Sequence, residues 1–335
     1  MTAGQLKILA VLAAASVAAT AAVLHSNTAT IASDRRGERV LPGLADKAND
    51  ITGVTVREAT DMIAIERRNG GFVAADSGFP VKADAVRDLV AGAIELTFEE
   101  ARTSDPARYG DLGLADPGAA DAGKEITLST TAGEVGDFVV GHRDATVAGP
   151  LGGVFVRLKG QSQTWLASGN LRLPPSRSEW FSPLELGIRR SDIKKVELAG
   201  GGRDAVTAVV TTEKPDQLIL QNIPEGRVAD AFKVTRIASL IESFAFQDVR
   251  KETKPPDDAR RLVADTGDGV RLSITAIGDL SEGWVQISAE ATGDAARDKA
   301  KAINAKVARF DFRLPPAQTD VLGWTVADLT NEQKS

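Results

Sequence analysis

The feature that most constrains this chain is that its two halves carry the same patterns, in the same order, at a spacing of 141 to 148 residues. Arg172-Leu173-Pro174-Pro175 returns as Arg313-Leu314-Pro315-Pro316. "ITGVTVREA" from Ile51 is answered by "IKKVELAGG" from Ile193, "LTFEEAR" at 96–102 by "FAFQDVR" at 244–250, and Leu128-Ser129 by Leu272-Ser273. At 335 residues the chain exceeds one ordinary core and suits two bodies of roughly 130 to 150 residues. The ordered matches predict a duplicated α+β unit, with halves at 51–187 and 192–329. RLPP reads as the end of the last strand in each half, because proline cannot continue a ladder and biases its predecessor to extended backbone.

Within each half the patterns predict an antiparallel sheet and one amphipathic helix. In the first, Val54, Val56, Ile63 and Ile65 alternate along two strands, and "NGG" at 69–71 turns the chain into "FVAAD". "KADAVRDLVAGAIELTFEEAR" follows as a helix with Val86, Leu89, Val90, Ala93 and Ile94 on one face. After a long loop at 103–123 come "EITLSTTAGEVGDFVVG", "GGVFVRLKG" and "QTWLAS" as strands. In the second half "VADAFKVTRIASLIESFAFQDVR" supplies the helix, and "VRLSITAIGDLSEGWVQISAEA" a hairpin read as the counterpart of "ITLSTTAGEVGDFVVG".

Ahead of these halves, Ile8 to Leu24 is an uncharged run of seventeen residues following Lys7. As a helix it spans about 25 Å, close to a bilayer core of about 30 Å. Residues 1–24 are therefore read as a membrane anchor, or alternatively as a signal segment with Ala19-Thr20-Ala21 as its cleavage site. Either way the body lies across the membrane from the amino terminus. Residues 25–50, polar and broken by "LPGL", read as a tether.

The chemistry-bearing residues are few. With 43% hydrophobic and 26% charged residues the chain has the balance of a folded body, while a net charge of −6 and 5% aromatics argue against nucleic-acid binding. Absence of cysteine excludes disulfides, thiolate metal sites and a cysteine nucleophile. Only His25 and His142 carry imidazoles, and His142 reads as a surface or hydrogen-bonded residue. Ser191 and Lys194 fit an S-x-x-K pattern without its companion motifs. "GGG" at 200–202 reads as a hairpin loop rather than a phosphate cradle, and "DTGDG" at 265–269 as a turn rather than a calcium loop. Glu99-Glu100 and Asp257-Asp258 read as solvated charge, and Trp165, Trp180, Trp284 and Trp324 as packing residues. The sequence thus assigns no catalytic, cofactor-binding or metal residues.

"VLPGL", "GGFVAAD", "YGDLGLADP", "ITLSTTAGEVGDFVVG" and "GGVFVRLKGQSQTWLAS" together resemble the bacterial family known as domain of unknown function 4340, over roughly 40–330. That resemblance implies an inner-membrane-anchored protein encoded beside an ABC-2-type transporter of the gliding-motility type. The expected function is a non-enzymatic periplasmic accessory protein whose partners are the inner membrane and a transporter permease or related envelope protein. The alternatives are a periplasmic ligand-binding module with a site between the two repeats, and a carboxylate-dependent hydrolase.

Overall fold

The structure, a computed structural model, describes residues 35–333 apart from 120, 148, 150, 151 and 216. The segment Ile8–Leu24 lies outside the described residues. No helix among the described residues is long and apolar enough to cross a membrane.

The fold class is α+β, with two large antiparallel sheets and few helices. The first sheet comprises β1 (Ile51–Arg57), β2 (Met62–Arg68), β3 (Gly71–Ala74), β4 (Thr97–Ala101), β5 (Lys124–Thr130), β6 (Gly133–Asp144), β7 (Gly153–Leu158) and β8 (Thr164–Ser168). Helix α1 (Ala83–Glu95) joins β3 to β4. The second comprises β9 (Ile193–Ala199), β10 (Val206–Val210), β11 (Leu218–Leu220), β13 (Asp248–Lys251), β14 (Arg261–Thr266), β15 (Val270–Ala276), β16 (Trp284–Ala291) and β17 (Phe310–Arg313). There β12 (Arg227–Ala229) and α2 (Ala231–Glu242) precede β13, and α3 (Arg297–Val307) joins β16 to β17. Helix α4 (Pro316–Gly323) then leads to β18 (Thr330–Glu332), which pairs with β12.

The sheet orders are β3-β2-β1-β5-β6-β7-β8-β4 and β11-β10-β9-β14-β15-β16-β17-β13. Counted from the first strand of each, the two orders are identical. Alternation in the sequence becomes alternation in burial: Val54, Val56, Ile63, Ile65, Ile126, Leu128, Val154 and Val156 are all buried. In α1 the predicted stripe is buried at Val86, Leu89, Val90 and Ala93, at about 2 kcal/mol for each of the larger side chains. Helix α2 buries Val234, Ile237, Ala238, Leu240 and Ile241, and Asp230 caps it by accepting from the Phe232 and Lys233 amides at 3.1 Å.

Four details depart from the sequence reading. Both helices stop early: Leu96 turns extended (φ −57°, ψ 125°) and Thr97–Ala101 pairs with β8, while Asp248–Lys251 pairs with β17. The apolar spacing continues through both junctions because a strand burying Phe98 or Val249 needs apolar residues too. The Leu-Ser pairs are not equivalent, since Leu128-Ser129 lies in β5, beside the sheet's first strand, and Leu272-Ser273 in β15, one strand further out. RLPP ends a strand only once: Arg313 closes β17 and Pro316 opens α4, whereas Arg172 follows the end of β8 by four residues. Finally, residues 37–40, read as tether, run beside β4. The Gly37 amide donates to Phe98 O at 2.8 Å and the Val40 amide to Leu96 O at 2.9 Å, and Val40 and Leu44 are buried.

The chain forms two compact units. The first runs to Phe72 and from Lys82 to Pro175, and the second takes Val73–Val81 with everything from Ser176. Residues 176–187, expected with the first half, thus group with the second unit, as do Val73–Val81, which run from the second half of β3 toward α1. The reason is packing inside the second unit, where the Phe79 ring lies 5.0 to 5.9 Å from those of Phe181, Phe246, Phe310 and Phe312. Val81 bridges Phe181, and Arg177 binds Asp248 at 2.8 Å and also Asp76.

Candidate functional site

The residues singled out by sequence are occupied with structural work. His142, exposed in β6, lies against Gly113, where a Cβ would come within 2.7 Å of the imidazole. The Lys194 ammonium donates to the Ser191 backbone carbonyl at 3.4 Å, and the Ser191 hydroxyl to Asp192 Oδ1, so no serine–lysine pair forms. In "DTGDG" the β14–β15 turn is closed through Thr266, and Asp268 binds Lys299 at 2.7 Å. Glu99 accepts from Ser168 Oγ at 2.8 Å and pairs with Arg36, while Glu100 pairs with Arg102. Asp257 is almost wholly exposed beside Lys254. Trp165 and Trp180 are buried, and Arg250 and Arg236 stack over Trp284 and Trp324 at 4.1 and 5.3 Å. Among the described residues no cluster of acids and histidines could hold a metal ion.

Buried charge is consumed in the same way. Gly200, Gly201 and Gly202 all adopt left-handed φ, and Gly200 needs it most, since a Cβ there would sit 2.4 Å from Ala259 O. This turn wraps the Arg260 guanidinium, 2% exposed, which donates to the carbonyls of Gly200, Asp204, Leu322 and Trp324. Burial draws its pKa down. The glycine run therefore serves a cation of the chain itself. Asp311, fully buried, accepts from Arg250 at 3.0 Å, Thr253 Oγ1 at 2.7 Å and Gln286 Nε2 at 3.0 Å.

The long loop 103–123 is packed rather than open. Tyr109 and Leu114 bury against Val139, and the Tyr109 hydroxyl donates to Ser162 O at 2.6 Å. Arg157 stacks over the Tyr109 ring at 4.7 Å and pairs with Asp116. Burial pushes the Tyr109 phenol up against the pull of that guanidinium. A Cβ at Gly141 would meet Leu112 O at 2.2 Å, so glycine in β6 is what lets the loop close on the sheet.

What is left over is a cleft in the first unit, of about 380 Å³, beside α1. Its apolar lining is Ile51, Phe72, Val86, Val90 and Ile94, supplied by the first strand, the end of the β2–β3 hairpin and the helix. Its polar side chains are Asn49 and two arginines, Arg67 and Arg87. Arg67 stacks over the Phe72 ring at 5.1 Å. Among the described residues, neither guanidinium makes a hydrogen bond or ion pair. Two other charged clefts differ: one holds Arg36–Glu99 and Arg102–Glu100, another Arg189–Asp192 and Lys299–Asp268. Sequence reasoning missed this site because its lining comes from three separated stretches. The one local signal was Arg87 beside the apolar stripe of the helix.

A family model described as a domain of unknown function, DUF4340, matches residues 72–262. The chain belongs to the DUF4340 family. The DUF4340 match takes in α1 with Arg87, the loop 103–123 and the β5–β8 strands, and runs on into β14. Arg67 lies just ahead of the DUF4340 boundary, and Phe72 is its first residue. No curated protein and no solved structure matches the chain.

Proposed function

We propose that this DUF4340 protein is a membrane-tethered accessory component of the bacterial envelope: a duplicated α+β body held in the periplasm by its amino-terminal segment, docking on an ABC-2-type permease. The observation that carries this reading is the uncharged run Ile8–Leu24 after Lys7, placed ahead of an acidic, cysteine-free body. The duplication is supported by two sheets with the same strand order, each with a helix between its third and fourth strands. A non-enzymatic role is supported by the fate of the acids: Glu99, Glu100, Asp268 and Asp311 are each bound to a cation of the chain.

The test is purification of a tagged full chain from cross-linked bacterial membranes, with an unrelated anchored protein as control. An ABC permease or its ATPase enriched about tenfold or more over control is the expected result. Recovery of the tagged chain without either would overturn the docking role.

A further inference from the structure

We infer that the cleft beside α1 binds an anionic amphiphile, a single acidic head on an acyl chain, with the head on Arg67 and Arg87 and the chain along the helix.

The floor sets the first half of this assignment. Ala83, Val86, Arg87, Val90, Ala91 and Ile94 recur along one side of α1 at helical spacing, a stripe about 16 Å long at roughly 1.5 Å per residue. The lining beyond the helix includes Ile51, Phe72 and the side-chain-free Gly70 and Gly71, where a Cβ would meet nothing closer than 3.9 Å. The only neutral hydrogen-bonding side chain in the lining is Asn49. A peptide laid here would bring a backbone donor and acceptor with each residue and find few partners, whereas an acyl chain brings none.

Charge sets the second half. In a chain of net charge −6, the arginines of two other clefts, Arg36, Arg102 and Arg189, are neutralised by Glu99, Glu100 and Asp192, while Arg190 lines the small second-unit cleft as a single guanidinium unpaired among the described residues. Arg67 and Arg87 stand at one apolar cleft without a carboxylate on either, and a guanidinium left with free donors is suited to a carboxylate or phosphate. The second unit has a cleft bounded by the corresponding elements: Arg190 and Ser191 ahead of its first strand, Ile193, Val210 and Leu218 on the hairpin strands, and Thr235 on the helix. It is smaller, at about 160 Å³, with Pro215 in its wall. The amphiphile occupies the larger cleft, whichever fraction the chain partitions into.

The experiment is photo-cross-linking of the full chain, in the fraction that carries it, with a diazirine-bearing dodecanoic acid, followed by peptide mapping. Labels are expected on 48–51, 67–72 and 83–94, displaced by excess dodecanoate or a lysophosphatidic acid but not by dodecyltrimethylammonium. The stronger of the two acids identifies the head as carboxylate or phosphate. The double variant R67Q/R87Q, both side chains being on the surface, should melt as the parent does and label about tenfold less; R67K/R87K should keep most of the label. Labelling spread along the chain, equal displacement by the cationic amphiphile, or no loss in R67Q/R87Q would overturn the assignment. Displacement by an acidic apolar peptide at lower concentration than dodecanoate would overturn it in favour of a protein segment.

Discussion

At the scale of single residues, the molecule sorts its charges by what they already hold. Asp268 illustrates a spent group. Its hydrogen bond from Lys299, with a further one from Thr266, draws its pKa from the ordinary 3.8 to about 2. A folded-state value below the unfolded one means stability that is present above about pH 4 and lost as pH falls toward 2. Asp268→Asn should therefore lower the melting temperature at neutral pH, and the pH-dependent part of the difference from the parent should vanish between about pH 4 and pH 2. A gap that stays constant through that window would show that the pairing contributes nothing. Because the carboxylate is half exposed, solvent screening keeps the effect small. Arg67 and Arg87 are the opposite case, and their significance lies in partners they lack, which no sequence pattern displays.

At the scale of elements, strands were legible where a regular alternation is bounded by turn residues: the alternation at Val54/Val56 and Ile63/Ile65 places β1 and β2 correctly, and "NGG" supplies Asn69 and Gly70 at positive φ for the turn. Helix ends were not legible, because the apolar spacing of α1 runs unbroken into Phe98 of β4. Helix α3, mostly polar with only Ala300, Ile303 and Val307 buried, gave no comparable stripe. Hidden backbone contacts were also unreadable. Gly92 sits mid-helix, where alanine ordinarily stabilises by about 1 kcal/mol, yet a Cβ there would lie 2.6 Å from Leu171 Cα and 2.7 Å from Asn170 O. Gly92→Ala should instead destabilise the first unit by about 1 to 3 kcal/mol in chemical denaturation. A neutral or stabilising result would mean that 170–171 is not held against the helix.

At the scale of the whole molecule, covalent order and packing diverge. Residues 73–81, from the middle of β3 to the residue before Lys82, belong to the second unit, a fact invisible in sequence because "SGFP" signals only a local turn while the aromatic partners of Phe79 lie a hundred or more residues on. Phe79→Ala should cost about 3 to 5 kcal/mol. In hydrogen exchange the loss of protection should fall on β13 and β17, with β5 and β6 retaining theirs; uniform loss would contradict the division into units.

The proposed role rests on the tether, and that is where one measurement bears most directly. The full chain, expressed in a Gram-negative bacterium with a carboxy-terminal tag, is fractionated, extracted with alkaline carbonate, and its intact mass determined. The chain is expected to stay in the membrane pellet with residues 1–24 retained, and to be digested by protease only after the outer membrane is opened. A soluble periplasmic chain beginning after Ala21, or one protected on the cytoplasmic side, would contradict the proposed role.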